Sequence, residues 1–435
     1  MKRRMIDRAV TAKILTGLVL TTSLLMPACG SDPGDAPSQA QSLELYSWWT
    51  APGETDALKA LLDIYRQEHP QTNVINATLS DLANAQAQLK TRMMGGTPPD
   101  TFQATGGLGI MQWVAYNGRD DTESKMDPID ELARSQNWKT YMPQPLLDVV
   151  TYNSKMYAVP LNIHRFSVLY FNKKVFADNG LTPPSTMSEF VTVAEALQAK
   201  GIVPFAMGSK AGWPVSLLVF DGLLTASSIV DFRDSYLEGK EDPADPRLVN
   251  VLNDAAKMLS YANANRDAIN WDEAAQMVVD GTAAMTVMGD WAKGFFMSKG
   301  LTPDVEFGQA LLPGTQGVFC FTTDTFGLPK GGPNRQAALD FLTLVGSPKG
   351  QAAFNPIKGS TPPRTDADLT NYDVFSKRTA EDFRNNRLVK GMGVKISSDQ
   401  FNGEVRVAMK QFAIDGKVDA VVNVLKNRYD LLKPQ

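Results

Sequence analysis

Residues 43–58, LELYSWWTAPGETDAL, decide how this chain begins to fold. The apolar start of this stretch predicts a strand that closes on Trp48 and Trp49, and a short turn leads into a helix that begins at Glu54. Large aromatic side chains are rarely left fully exposed, so two adjacent tryptophans at a strand end are unusual. The stretch therefore predicts an aromatic floor for a ligand site at the end of a strand.

The segments that follow repeat the alternation of strand and helix. Apolar residues at helical spacing predict a helix over residues 56–68, and a second helix is predicted over residues 82–94. The second and third strands are predicted over residues 72–77 and 101–104. This order is typical of an open parallel sheet, in which ligands bind beyond the carboxyl ends of the strands.

The sequence patterns after residue 104 are less regular, but they still predict secondary structure. An apolar run over residues 154–172 is predicted to cross between two lobes, and a further helix is expected to begin at Asp290, which suits an N-cap. Beyond about residue 380 the chain is predicted to be mostly helical. The remaining predictions are helices over residues 187–199 and 336–345, strands over 202–207 and 283–288, a strand-rich segment over 318–328 and a loop over 358–363.

Composition limits the classes of function. The 435 residues are 43% hydrophobic and carry a net charge of −4, which allows two or three compact units and argues against general nucleic-acid binding. The only histidines are His69 and His164, and neither lies in a motif for zinc or for a catalytic triad. We therefore expect no metal and no cofactor. Cys320, inside VFCFTT, is expected to be a small buried residue.

The first residues predict export. A basic start is followed by an apolar run over residues 14–26, too short to span a membrane, and then by Ala28-Cys29. This pattern resembles a bacterial lipoprotein signal and predicts a signal peptide over residues 1–28, lipidation of Cys29 and a lipidated, polar tether over residues 29–42. The alternative is an ordinary signal peptide that is cleaved nearby.

Six motifs, in order and at compatible spacing, resemble those of the extracellular solute-binding proteins of bacterial sugar ABC importers, the family of maltose-binding protein, and most closely the glucose/mannose-binding members. They are SWWTAPGE (47–54), LKTRMMGGTPPDTFQ (89–103), VPLNIHR (159–165), MGDWA (288–292), TDTFGLPKG (323–331) and FNPIKGS (354–360).

The resemblance implies a two-lobed α/β fold, the type II periplasmic-binding-protein fold, with the ligand in a cleft between lobes joined by crossing segments. Carried over, lobe one comprises residues 43–165 plus 308–358, and lobe two comprises 166–307 plus 359–435. The implied partners are a sugar, the transmembrane subunits of an ABC permease and, through the lipid anchor, a membrane. The protein is expected to be a monomer.

A sugar ring has apolar faces and a rim of hydroxyl groups, so it favours aromatic planes with charged or amide groups around them. Trp48 and Trp49 supply such planes, although one of them could point into the core because neighbouring strand residues face opposite sides. The resemblance assigns the Glu54 carboxylate to sugar hydroxyls; the alternative is compensation of the helix dipole. Trp271 and Trp291 are predicted to form the opposing wall, or else to be ordinary core residues.

Three polar residues complete the predicted site. Asp324 lies among apolar strand residues, where an unpaired carboxylate is costly, so it is predicted to be functional. Lys358 matches the family's ligand-contacting lysine, and the alternative is a solvated loop charge. Gln103, near the third strand end, is predicted to donate to and accept from the ligand.

The sequence also departs from the glucose binders. They carry a basic or imidazole side chain where this chain has Thr105, and a histidine near the position of Gly393. The aromatic platform is thus kept while part of the polar rim is altered, which leaves room for a different epimer or a second sugar ring. The pair His164-Arg165 is interpreted as a structural hydrogen-bonding unit in the crossing segment.

Three functions are compatible with these residues. The favoured one is a sugar-binding subunit that binds a monosaccharide or short, glucose-like oligosaccharide without turnover. A glycoside hydrolase that uses Glu54 and Asp324 as its carboxylate pair is a second. A lipoprotein that senses or scavenges carbohydrate without transport is the third.

Overall fold

Four hydrogen-bonded sheets, one of them a two-stranded ribbon, and the helices that pack on them make up the part of the chain that the computed structural model describes, residues 41–79, 82–115, 121–396 and 398–432. The predicted signal peptide, the lipidation of Cys29 and nearly all of the tether lie outside these residues.

The strands are β1 (Ser42–Tyr46), β2 (Asn73–Asn76), β3 (Thr101–Thr105), β4 (Thr151–Tyr152), β5 (Lys155–Met156), β6 (Ala158–Pro160), β7 (His164–Arg165), β8 (Val168–Asn172), β9 (Val203–Ala206), β10 (Ala283–Met288), β11 (Phe307–Leu311), β12 (Val318–Thr322), β13 (Asp324–Gly327) and β14 (Arg387–Lys390).

The helices are α1 (Glu54–Glu68), α2 (Leu82–Met94), α3 (Leu108–Val114), α4 (Asp130–Ser135), α5 (Trp138–Tyr141), α6 (Gln144–Asp148), α7 (Lys173–Asp178), α8 (Met187–Gln198), α9 (Trp213–Ser216), α10 (Val230–Leu237), α11 (Pro246–Ser260), α12 (Trp271–Val279), α13 (Trp291–Ser298), α14 (Arg335–Val345), α15 (Pro348–Lys358), α16 (Val374–Asn385), α17 (Met392–Lys395), α18 (Asp399–Asp415) and α19 (Val418–Arg428), with a π-helix at Leu217–Gly222 and 3₁₀ turns at Leu223–Thr225 and Tyr429–Leu432.

The first sheet has the strand order β2-β1-β3-β13-β6. Strand β1 pairs in parallel with β2 and β3, as the alternation of strand and helix predicts, and α1 buries Leu58, Leu61 and Tyr65 against the same core. Strands β13 and β6 then add antiparallel pairs, so the sheet is mixed and not wholly parallel. Because β13 returns from late in the chain, Asp324 pairs directly with Thr105 at the end of β3.

The second sheet has the order β11-β8-β10-β9 and carries a separate hydrophobic core. Strand β11 pairs with β8 over its whole length, Phe307 with Asn172 through Leu311 with Val168. The predicted start of the second lobe-one segment at residue 308 is therefore too early, because residues 308–311 belong to the lobe-two sheet.

The third sheet has the order β14-β12-β7, and the chain enters β7 and β12 as it passes between the first and second sheets. The strand-rich segment 318–328 is confirmed but is two strands: β12 ends at Thr322 in this sheet, and β13 continues in the first sheet. The prediction of mostly helix beyond residue 380 missed β14, which is held as a strand by its parallel pairing with β12. These crossing strands join the two cores, so the predicted two-lobed α/β organisation is confirmed.

Local side-chain chemistry accounts for where several helices begin. Thr186 and Glu189 form a capping box at the start of α8. Asp290 is the N-cap residue of α13, as predicted, but its side chain bonds to His164 and to the Arg165 backbone N–H and makes no capping hydrogen bond. Lys358 is the last residue of α15 and not part of a loop. Among the described residues, no helix is long and apolar enough to cross a membrane.

Candidate ligand-binding site

A cavity of about 360 Å³ opens where the carboxyl ends of β1 and β3 face the helices of the second lobe. A volume of this size falls in the range of small-molecule sites. Seven of the eight predicted site residues line it, and Gln103 does not; the seven are Trp48, Trp49, Glu54, Trp271, Trp291, Asp324 and Lys358. A larger cavity of about 710 Å³ near α3 and residues 390–399 contains none of them.

The two adjacent tryptophans have different environments. Trp48 is half-buried and lines the cavity, whereas Trp49 is only 2% exposed. The Trp49 ring packs 5.0 Å from Phe354 and 5.9 Å from Phe326, measured between ring centroids. Trp48 is therefore the aromatic surface available to a ligand, and Trp49 contributes an edge while it anchors the core of the first lobe.

The opposite wall carries three tryptophans, each at the first position of a helix: Trp213 in α9, Trp271 in α12 and Trp291 in α13. Trp213 and Trp271 are half-buried, and Trp291 is 8% exposed with its ring against Gly289. Trp213 was not predicted, although its centroid lies 6.1 Å from Trp291. The sequence signal that could have found it is a tryptophan at a helix start shortly after a strand, as at Trp291.

Glu54 and Lys358 form an ion pair at the cavity wall. The Lys358 Nζ atom lies 2.5 Å from Glu54 Oε1, and its side chain is 2% exposed against 13% for Glu54. The ammonium is also 5.5 Å from the Trp49 ring and 5.8 Å from the Trp291 ring. The alternative of a solvated loop charge for Lys358 is therefore wrong. Glu54 begins α1, so its carboxylate serves the helix start and the ion pair together.

Asp324 is held ionised by a full set of donors. Its Oδ1 accepts from Gln103 Nε2 at 3.1 Å, and its Oδ2 accepts from Asn162 Nδ2 at 2.8 Å and lies 3.0 Å from His164 Nε2. Burial by itself would raise the pKa of Asp324, but the hydrogen bond and charge of His164, with the charge of Lys358, lower it to about 2. The site thus contains a fixed hydrogen-bond acceptor.

Gln103 acts beneath the cavity. Its side chain is fully buried, and its Oε1 accepts from Ser47 Oγ at 2.7 Å and from the Trp48 backbone N–H at 3.3 Å. Its Nε2 donates to Asp324. Both polar atoms of the Gln103 amide are therefore used to position Trp48 and Asp324. The prediction that Gln103 contacts the ligand is not supported, because its side chain does not line the cavity.

His164 lies between two carboxylates from different lobes. Its Nδ1 bonds to Asp290 Oδ1 and its Nε2 faces Asp324 Oδ2. Burial by itself would lower the pKa of His164, but the two carboxylates outweigh burial and raise it above the usual value. Arg165 pairs with Asp382, and its backbone N–H donates to Asp290. These contacts support the reading of His164-Arg165 as a structural unit, although His164 also lines the cavity.

The two positions that depart from the glucose binders both line the cavity. Thr105 is half-buried at the end of β3. A Cβ atom built on Gly393 would meet no atom within 4 Å. The altered rim therefore has open space at Gly393, and Thr105 borders the same cavity.

The first and second lobes, each with its own core, and the cavity lined from both define a two-lobed binding protein. The chain belongs to the family of bacterial extracellular solute-binding proteins, which it matches over residues 42–352. It is similar to an uncharacterised ABC transporter extracellular-binding protein of Pyrococcus horikoshii, 36% identical over 382 residues, 85% of this chain and 84% of that protein.

Two further likenesses agree with this assignment. A probable sugar-binding periplasmic protein of Brucella suis is 26% identical over 412 residues, 90% of this chain and 96% of that protein. The solved structure of AcbH, a bacterial solute receptor described as having an exclusive preference for β-D-galactopyranose, superposes with a TM-score of 0.78 at 20% identity, over 90% of this chain and 98% of that one. The predicted type II periplasmic-binding-protein fold is confirmed.

Proposed function

We propose that this chain binds a neutral sugar in the cavity and presents it to the permease of an ABC importer. The observation that carries the proposal is the combination of half-buried aromatic faces with ionised groups whose positions are fixed by protein contacts. Trp48 and Trp271 supply apolar planes, while Asp324 and the Glu54–Lys358 pair supply acceptors and donors at the rim. This is the complement of a pyranose ring.

Two charged pairs also set the polarity of the ligand. The Glu54 carboxylate is matched by Lys358, and Asp324 faces His164 and Lys358. Because each carboxylate already has a cationic neighbour, the wall offers directed hydrogen bonds without a large unpaired charge. Such a wall favours hydroxyl groups over a charged substituent.

Hydrolysis is disfavoured by the same contacts. A glycosidase needs one carboxylic acid that is protonated near neutral pH to protonate the leaving oxygen. The pKa of Asp324 is lowered to about 2. Asp324 is therefore an acceptor for sugar hydroxyls and not a proton donor. Glu54, the other carboxylate of the pair, already forms an ion pair with Lys358, so we propose binding without turnover.

The experiment is a titration of the purified protein with mono- and disaccharides, followed by tryptophan fluorescence and thermal melting. Saturable binding with one site, a shift in tryptophan emission and unchanged sugar after long incubation are expected. If no sugar in a broad panel alters either signal, the proposal fails. Release of monosaccharide from a disaccharide would contradict binding without turnover and would support the glycoside hydrolase hypothesis instead.

Lys358→Met tests the site itself, and Lys349→Met is its matched control. Both lysines belong to α15, but Lys349 pairs with Glu68 at the surface, where its side chain is 60% exposed. Sugar binding should be lost in the first variant and kept in the second. Equal binding in both variants would remove Lys358 from the site.

The cellular role completes the proposal. We place the protein outside the cytoplasmic membrane, anchored through a lipidated Cys29, as a monomer that docks on the transmembrane subunits in its sugar-bound form. Cys29→Ala should move the protein from the membrane fraction to the soluble fraction of cells. A sensing or scavenging role would be supported instead if deletion of the partner permease left sugar uptake by the cell unchanged.

A further inference from the structure

The second-lobe wall of the cavity carries a cation that the sequence analysis did not single out. Arg406 belongs to α18 and lines the cavity together with Asn402, four residues earlier on the same helix. Residues four apart lie on one face of a helix, so the two side chains are neighbours. Both residues are half-buried, which leaves part of each side chain open to a ligand in the cavity.

Close backbone packing holds α18 at the cavity. Gly212, just before α9, lies in the left-handed region at φ +75°, and a Cβ atom there would lie 2.5 Å from the Arg406 carbonyl oxygen. The next residue, Trp213, is half-buried and lines the same cavity. The Arg406 backbone therefore lies next to an aromatic residue of the second-lobe wall.

The hydrogen-bonding capacity of Arg406 is unused. Of the three basic residues that line the cavity, Lys358 and His164 each pair with a carboxylate. Within the part of the chain that the structure describes, the Arg406 guanidinium has no ion pair and no hydrogen bond. Burial lowers the pKa of Arg406, and the charge of Asp399 offsets this in part. Because donors removed from water need a partner, the guanidinium points to a ligand that accepts hydrogen bonds.

The chemistry of the guanidinium defines what the ligand must offer. Arginine presents donors only, in a planar fork that contacts two oxygens at once. Asn402 adds an amide that both donates and accepts, and among the described residues its side chain has no hydrogen-bond partner either. Two adjacent hydroxyl groups on a sugar ring supply two neighbouring acceptor oxygens. An ammonium group supplies no acceptor, and its charge repels the guanidinium.

The charges around Arg406 favour a neutral ligand over an acidic one. Asp272, in the first turn of α12, lines the same cavity and has no ion pair among the residues that the structure describes. Asp399, the first residue of α18, also reduces the positive potential at the guanidinium. A carboxylate on the ligand would be attracted by Arg406 and repelled by these two acidic residues, whereas hydroxyl groups use the donors of Arg406 without that repulsion.

We propose that Arg406, with Asn402 beside it, is a specificity-determining residue of this site. Its guanidinium donates to two adjacent hydroxyl groups of the bound sugar and excludes amino sugars that carry an ammonium group at either position. The inference rests on the proposed sugar-binding function and adds to it the residue that selects among sugars.

Calorimetry on the purified protein first identifies the tightest-binding neutral sugar in a panel of mono- and disaccharides. Arg406→Met should bind that sugar about thirtyfold more weakly than wild type, because hydrogen bonds to a charged group are lost. Its melting temperature should match that of wild type, since the guanidinium has no partner in the described protein to lose. If no sugar binds to wild type, the proposed function itself fails.

Derivatives of the same sugar then test for direct contact. Removal of either of the two hydroxyl groups should cost wild type about tenfold in affinity and should cost Arg406→Met almost nothing, because the partner is already absent. The matching amino sugar should bind wild type at least about a hundredfold more weakly than the parent sugar, and Arg406→Met should recover most of that loss. Deoxy sugars that lose equally in both proteins would show that Arg406 contacts no hydroxyl group.

Lys410→Met is the matched control. Lys410 follows Arg406 by four residues on α18, but it is exposed and does not line the cavity, so this variant should bind sugar as wild type does. Arg406→Lys keeps the charge without the planar fork and should stay about tenfold weaker than wild type. Full affinity in Arg406→Met would overturn the proposal.

Two measurements on wild type need no variant. Glucuronate and galacturonate should bind no more tightly than the preferred neutral sugar; tighter binding of either acid would overturn the proposal by showing an anion site. At least one monoamino derivative should be rejected, and binding of every amino derivative as tightly as the parent sugar would also refute it.

Discussion

Replacing His164 by leucine should cost this protein a large part of its stability. The imidazole separates the carboxylates of Asp290 and Asp324, whose side chains are 2% and 12% exposed, and it is itself 2% exposed. Removal of one partner from a buried ion pair typically costs 3–5 kcal/mol, because the remaining charge is left uncompensated. Asp290 keeps a donor from Arg165 and Asp324 keeps Asn162, so we expect a loss of about 3 kcal/mol.

The pH dependence of this loss has a definite sign. The pKa of His164 is raised in the folded protein, against about 6.5 in an unfolded chain. The stabilisation is therefore complete below about pH 6.5 and declines as the pH rises through the folded-state pKa. The difference in unfolding free energy between wild type and His164→Leu should be largest near pH 6 and should shrink in alkaline solution.

Urea denaturation followed by tryptophan fluorescence measures both effects. His69→Leu is the control, because His69 is partly exposed and 3.9 Å from its nearest carboxylate, Asp340. Adding Asp290→Asn to His164→Leu should restore part of the stability, since one of the two unpaired charges is then removed. A cost below about 1 kcal/mol at pH 6, or a gap that widens as the pH rises, would refute the reasoning.

Other predictions follow from single contacts. Trp48→Ala should weaken sugar binding by about 2 kcal/mol with little change in melting temperature; normal affinity in calorimetry would exclude Trp48 from the site. Trp49→Ala should instead destabilise the fold by about 3 kcal/mol in denaturation experiments, because Trp49 is buried against Phe354; a stability equal to that of wild type would contradict this. Gly294→Ala should cost about 1–3 kcal/mol, since its Cβ would lie 2.6 Å from the Ile357 carbonyl oxygen; an unchanged melting temperature would show that α13 and α15 shift without cost.

Much of the site was predictable because its residues sit at marked positions in the sequence. Trp48 follows the first strand, Trp271 and Trp291 start helices, and Asp324 interrupts an apolar segment. These are local signals of strand ends, helix starts and costly buried charge. They were enough to place seven of eight predicted residues around one cavity.

The errors have a common cause. Gln103 was predicted to contact the ligand. Its amide instead lies beneath Trp48, because its oxygen accepts from Ser47 and its nitrogen donates to Asp324. Lys358 ends a helix and is buried. Its burial depends on the carboxylate of Glu54, 304 residues away in sequence, which pairs with its charge. Strand β14 forms only because β12 lies beside it. No local pattern records such partners.

The sequence by itself determined the elements and the aromatic and charged groups that a sugar requires, since periodicity, turns and residue type are local properties. Tertiary structure decided which tryptophan faces the cavity and which charges are paired. The Asn162–Asp324 contact spans 162 residues, and the Glu54–Lys358 contact spans 304. Such pairings arise from the packing of distant segments, and the polar rim of the cavity depends on them.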